Sequence, residues 1–115
     1  SALGDARANV RRWGAGNVRL HRGRVEKVLA RLAREGERFD VVVLDPPRRG
    51  CGPVVCAQAA RLGPRRILMV SCHPATLARD LASLAEHGYR CRRVQPVDMF
   101  PQTWHVEAVA LCERV

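Results

Sequence analysis

The apolar positions of this chain fall into runs of two kinds. In "RVEKVLARLARE", residues 24–35, Val25, Val28, Leu29 and Leu32 recur at helical spacing, and Gly36 closes the segment. Residues 3–13 read as an earlier helix that ends at "WGAGN". "FDVVVLDPP" (39–47) is instead a continuous apolar run that stops in an acid and two prolines, as a central strand buried on both faces would. "CGPVVCAQAARLG" (51–63) predicts a helix closed by Gly63, and "RRILMVSC" (65–72) a second buried strand. "PATLARDLASLAEHG" (74–88) has Pro74 at the first helical position and Gly88 past its end, the asymmetry expected of a helix. "VRLH" (18–21) predicts a short strand, "YRCRRVQPV" (89–97) a strand with one wet face, and "HVEAVALCER" (105–114) a last strand. Strands alternate with helices until two strands close the chain. That order predicts an α/β fold whose mostly parallel sheet ends in an antiparallel pair.

Length and composition narrow the picture. The 115 residues form one domain, 1–115, with 47% apolar residues, and a chain of this size buries roughly 65% of its unfolded surface. No run of about 18 apolar residues exists to span a membrane. The charged start "SALGDARANVRR" has no apolar signal segment. The formal net charge is +9, carried by arginine, with Lys27 the only lysine. A coding bias explains arginine in place of lysine but not the excess of bases over acids, so a polyanionic partner is expected, foremost nucleic acid. Cys51, Cys56, Cys72, Cys91 and Cys112 are odd in number and contain no CxxC pair. That argues against a disulfide framework and against a metal site, and it favours a reducing cytoplasm.

Ligands of open α/β sheets bind beyond the carboxyl ends of the strands, and three stretches fall there. Asp45, followed by Pro46-Pro47-Arg48-Arg49-Gly50, is either a carboxylate held rigidly toward a ligand or a turn that ends the strand. Cys72 ends the next strand beside the start of the Pro74 helix. A helix N-terminus favours thiolate over thiol, which would make Cys72 a nucleophile; the alternative is an inert core thiol. His73 takes the cap position, where it is expected to serve poorly at a cost of about 1 kcal/mol. In "DMFPQTWHVEAVAL" (98–111), Glu107 sits early in an apolar run. There it is either a general base with a raised pKa or a glutamate at the sheet rim facing water. His105 reads more simply as a structural histidine than as a catalytic one.

Together "LDPPRRG", "VSCHPATLARDL", "GY" and "PVDMFPQTWHVEAVALCER" resemble the carboxyl-terminal part of the RNA uracil-5-methyltransferases, from about residue 3 to 115. The family makes 5-methyluridine in tRNA and 23S rRNA. The resemblance implies a partial Rossmann-like class I methyltransferase fold with the first two strands missing and "VRLH" as its third. It implies S-adenosyl-L-methionine as methyl donor, with an incomplete pocket here. Cys72 matches the nucleophile that adds to C6 of uracil, and Glu107 the base that removes the C5 proton. Asp45 matches the motif acid near donor and target base. Arg24 stands where an acidic or amide residue near the adenosyl moiety is usual, and His73 where asparagine or aspartate is usual. Arg48, Arg49, Arg79, Arg92 and Arg93 are candidates for RNA phosphates, and a stacked target base would have to be flipped out. The glycine-rich loop, the ribose-binding acid and an RNA-binding module are expected upstream of residue 1, so that the chain is a fragment. A bare sheet edge in such a fragment would seek a partner, and either an altered packing or an intertwined homodimer through exposed edges is expected. Three rival readings are a cytosine-5 RNA methyltransferase, an amino-group methyltransferase and an inactive, basic RNA-binding piece. Against the first, Arg48 stands where such enzymes place a second cysteine.

Overall fold

The computed structural model describes residues 2–14, 16–97 and 107–115. Its elements run α1 (Ala2–Arg12), α2 (Val25–Arg34), β1 (Val41–Leu44), α3 (Gly52–Arg61), β2 (Arg66–Ser71), α4 (Pro74–Glu86), β3 (Tyr89–Val97) and β4 (Glu107–Arg114). Every predicted helix is present within about two residues at each end. Among the strands, residues 18–21 are the exception: they are irregular rather than extended in a ladder. A strand is stable only with a neighbour to take its backbone hydrogen bonds, and none of the described strands pairs with this segment.

The four strands form one sheet in the order β1-β2-β4-β3. β1 and β2 are parallel, while β4 runs antiparallel to both β2 and β3. Three strands therefore point one way, and the returning β4 inserts between β2 and β3. The expected antiparallel closing pair is β3 with β4. Arg92 is the extra residue where their register shifts between Cys91 and Arg93, a bulge that bends β3.

Period-two alternation divides the sheet into two unlike faces. Val42, Ile67 and Cys112 stand in register on one face, with Leu44, Met69 and Ala110 in the next row. This face joins Cys56 and Ala59 of α3 and Leu77 and Leu84 of α4 in the core. The apolar run of β1 is not buried on both sides as its composition suggested: Val41 is 47% and Val43 61% exposed. β1 is the edge strand of the four described strands, and its outer face has no covering element among the described residues. Tyr89 closes the opposite end of the core, its hydroxyl donating to the Pro64 carbonyl at 2.6 Å.

Candidate active site

The register places the three predicted residues at one end of the sheet. β1 and β2 pair in parallel up to Leu44 and Met69. Asp45, Pro46 and Pro47 follow at the same end of the sheet as the junction between β2 and α4. The β2–β4 ladder ends at Ser71 paired with Ala108. Cys72 directly follows Ser71, and Glu107 directly precedes Ala108, so both stand at the same end of this ladder. Glu107 opens β4, the neighbour of β2 on one side, while the Asp-Pro-Pro loop follows β1, its neighbour on the other.

The junction that presents Cys72 is built by its neighbours. Cys72 is exposed. Ser71 accepts the His73 amide at 3.2 Å and donates its hydroxyl to the His73 carbonyl at 3.1 Å, which turns the chain out of β2. His73 then takes the extended conformation of a helix cap, with φ −138 and ψ 114. Its Nδ1 accepts the Thr76 amide at 3.4 Å, a long bond that does occupy the cap, so His73 caps better than its residue type predicts. Glu107, half-buried, opens β4 opposite Val97 of β3. Asp98, Phe100, Trp104 and His105 lie outside the described residues.

Asp45 is exposed and lines a cleft of about 170 Å³ with Val25 and Glu26 of α2, Leu44, Pro46 and Cys51. Arg24 does not line this cleft. It precedes α2 as its cap residue, and its Nε lies 3.7 Å from Glu26. The α2 residues that reach the cleft are the next two, Val25 and Glu26. Cys51 brings a thiol that motif reasoning did not single out. A hydrogen bond with the Cys56 thiol holds the Cys51 pKa below the ordinary thiol value, against burial and the Asp80 charge, which raise it.

The candidate phosphate-binding arginines separate into two groups. Arg79 donates to the Arg49 carbonyl at 3.3 Å, Arg92 lies 3.6 Å from Glu113, and Arg93 donates to Gln95 at 3.2 Å. Arg48 and Arg49 have exposed side chains on the loop that follows Asp45. The residue missed altogether is Asp80, 4% exposed, whose carboxylate accepts the amides of Cys51 and Gly52 at 2.7 and 3.1 Å.

Comparison with known proteins gives a consistent result. The family model described as tRNA (Uracil-5-)-methyltransferase matches residues 17–115. An uncharacterized RNA methyltransferase of Geobacter sulfurreducens is 52% identical over 111 residues, covering 96% of this chain and 22% of its own length. One of Caldanaerobacter subterraneus is 49% identical over 114 residues, covering 99% and 25%. The chain thus spans about a quarter of the length of these relatives. Among solved structures, the tRNA (uracil-54, C5)-methyltransferase of Pyrococcus abyssi, in complex with S-adenosyl-L-homocysteine, is 36% identical with a TM-score of 0.75. That match covers 96% of this chain and 26% of the other. M1.HpyAVI, 13% identical with a TM-score of 0.65, shares the fold alone.

Proposed function

The chain belongs to the tRNA (uracil-5-)-methyltransferase family, and from that premise we propose that it carries the nucleophile and the base with which the whole protein methylates C5 of uracil in RNA. The observation that supports this reading is the sheet topology: the β2–β4 ladder ends at Ser71 and Ala108, so Cys72 and Glu107 adjoin the same end of the sheet at which Asp45 follows β1. Uracil C5 is a weak nucleophile. Addition of the Cys72 sulfur to C6 turns C5 into an enolate-like carbon that can accept an electrophilic methyl group. Glu107 then takes the C5 proton, the C6–S bond breaks, and the electron pair restores the ring double bond. Thiol and carboxylate return to their starting states once the proton is exchanged with solvent.

S-adenosyl-L-methionine supplies an electrophilic methyl group when bound. The cleft beside Asp45 suits part of such a donor: its walls are apolar at Leu44, Pro46 and Pro47, and Asp45 offers a carboxylate to an amino group or cation. At about 170 Å³ it is smaller than the roughly 300–1,000 Å³ of a complete small-molecule site. The remainder of the pocket is therefore assigned to parts of the protein beyond these residues. Arg48 and Arg49 are the candidates for RNA phosphates, in keeping with the net charge of +9. Five free cysteines suit a reducing cytoplasm. The expected homodimer of the isolated chain rests only on the exposed edge of β1.

The test is a trap. The full-length protein is mixed with S-adenosyl-L-methionine and RNA carrying 5-fluorouridine, whose fluorine cannot leave as a proton. Mass spectrometry should find methylated RNA attached to Cys72, and Cys72→Ala should abolish the adduct. RNA binding without an adduct would instead support the inactive RNA-binding reading.

A further inference from the structure

We propose that Asp80 is a positioning residue for methyl transfer, holding the Asp45 loop at a set distance from the Cys72 junction; the proposal rests on the reading of function above. α3 begins without a cap of its own. Cys51, at its cap position, has helical dihedral angles (φ −75, ψ −40) and makes no side-chain cap bond. A side chain in that conformation cannot reach back to the first amides as an extended cap residue does. The first free amides of the helix still need acceptors. They find them 28 and 29 residues away in sequence: Asp80 Oδ2 accepts from Cys51 and Oδ1 from Gly52.

Two further ties come from the same face of α4. The Thr76 hydroxyl, 3.0 Å from the Arg48 carbonyl and 3.1 Å from that of His73, spans the loop and the helix start. The Arg79 guanidinium donates to the Arg49 carbonyl. Positions 76, 79 and 80 are spaced three and four apart, so they present one stripe. Gly50 lets the loop lie against that stripe. Its φ is +86, and a Cβ there would stand 2.8 Å from Asp80 Oδ2 and 3.1 Å from Thr76 Cβ. The backbone from Arg48 to Gly52 is thereby fastened, residue by residue, to the first two turns of α4.

The consequence reaches both reacting sides. The fastened loop starts at Asp45 and lines the cleft, and α4 starts two residues after Cys72. Asp80 does not line the cleft beside Asp45, yet it couples the loop that follows Asp45 to the helix that follows Cys72. A carboxylate so deeply buried is costly unless its bonds are complete. No described buried side-chain oxygen or nitrogen lacks a partner. Loss of this carboxylate would free the loop by an ångström or so, and a displacement of that size costs on the order of 100-fold in rate.

The experiment measures uridine methylation by the full-length enzyme, with Leu84→Ala as a stability control. Leu84 lies on α4, four residues beyond Asp80, and is fully buried in the core cluster. At a temperature where all variants are folded, Asp80→Ala should lower kcat on the order of 100-fold and raise the KM for the methyl donor. Asp80→Asn, which keeps one acceptor, should fall between Asp80→Ala and wild type, and Thr76→Val should lose less. Leu84→Ala should lose thermal stability while keeping kcat within about threefold. Should Asp80→Ala fail to fold, Asp80→Asn and Thr76→Val carry the test. Asp80 variants that keep wild-type kcat, or that lose activity only in step with their melting temperature as Leu84→Ala does, overturn the proposal. A wild-type protein that methylates no uridine overturns the functional reading, and this proposal with it.

Discussion

Two helices of similar length meet different fates in this chain. α4, 13 residues long, buries Leu77, Asp80 and Leu84 and is tied to a loop through Thr76, Arg79 and Asp80. α1 has 11 residues, and of its described side chains only Ala6 is half-buried while the rest face water. Both sequences satisfy local rules for a helix. Only α4 lies against the sheet, beside β2 and β3, and helices shorter than about 12–15 residues gain most of their stability from such packing. The segment that follows α1 shows the same lack. Residues 17–21 border a cavity of about 460 Å³ in front of Leu32 and Phe39, held by contacts such as Arg31 to His21 at 2.9 Å and Arg19 near Glu37 at 3.9 Å. Exposed polar pairs of this kind contribute roughly 0–1 kcal/mol each. Local pattern thus decides that a helix can form, and the sheet decides whether it bears on the site.

The largest expected effect separates chemistry from packing at the start of α4. Cys72→Ala in the full-length protein should lower uridine methylation by about 10³-fold or more. Because Cys72 is exposed, its unfolding free energy should change by less than about 0.5 kcal/mol. Turnover and thermal melting of the same preparation check both halves. A variant that loses activity because it melts would make Cys72 a packing residue and erase the contrast with α1.

Next in size is the core side of α4. Leu84→Ala removes a fully buried side chain that packs with Ile67, Met69 and Tyr89 in one cluster. It should cost about 2–5 kcal/mol, read from denaturant unfolding. A smaller loss would mean that α4 is no better anchored than α1.

The packed half should also carry a pH signature. Burial, reinforced by the neighbouring Cys91, pushes the Cys112 thiol up from 9.0 to about 12. Burial raises the Tyr89 hydroxyl as well, against the nearby Arg114 and Arg38 charges. A Cys112 thiol in the unfolded chain ionises near 9.0, while the folded one keeps its proton to about 12. The folded state therefore binds more protons across that window. Its stabilising contribution is complete below pH 9 and is lost as pH rises toward 12, by up to about 1.4 kcal/mol per pH unit for each group. Melting temperatures across alkaline pH should fall in wild type and fall less steeply in Cys112→Ala.

How far the sequence could be read follows the same division. α2 and α4 were legible because their apolar spacing has one period and glycines close both. β1 was legible as a strand, but its composition hid that it is an edge, since Val41 and Val43 look like core residues until the strand order is known. "VRLH" failed for the complementary reason: strand propensity is a response to a partner, and none is present among the described strands. Of the candidate site, Cys72, Asp45 and Glu107 could be singled out from sequence because strand ends are where open sheets do chemistry. The residue-level bonds were not. Arg24 is paired by Glu26 two positions on, a contact no motif announces. Asp80 acts on amides at the start of another helix. One signal for it did exist: an acid three residues after Leu77 and four before Leu84 stands on the buried stripe of its helix, where it needs a partner.

The smallest expected effect tests α1 directly. Ala6 is the one half-buried side chain among the described side chains of α1, so it is a suitable place to perturb the helix. Ala6→Gly removes up to about 1 kcal/mol of helix propensity from residues 2–12. If α1 is coupled to the core, that full amount should appear in the global unfolding transition. If α1 merely adjoins the sheet, helix content by circular dichroism should drop while the core transition moves by less than about 0.5 kcal/mol. The second outcome is expected, because local opening draws only on the contacts of the unit that opens, and the described side chains of α1 are mostly exposed. Global unfolding that tracks the substitution would show that the amino-terminal helix has a seat on this sheet after all, and α1 would then belong with α4 among the elements that hold the site.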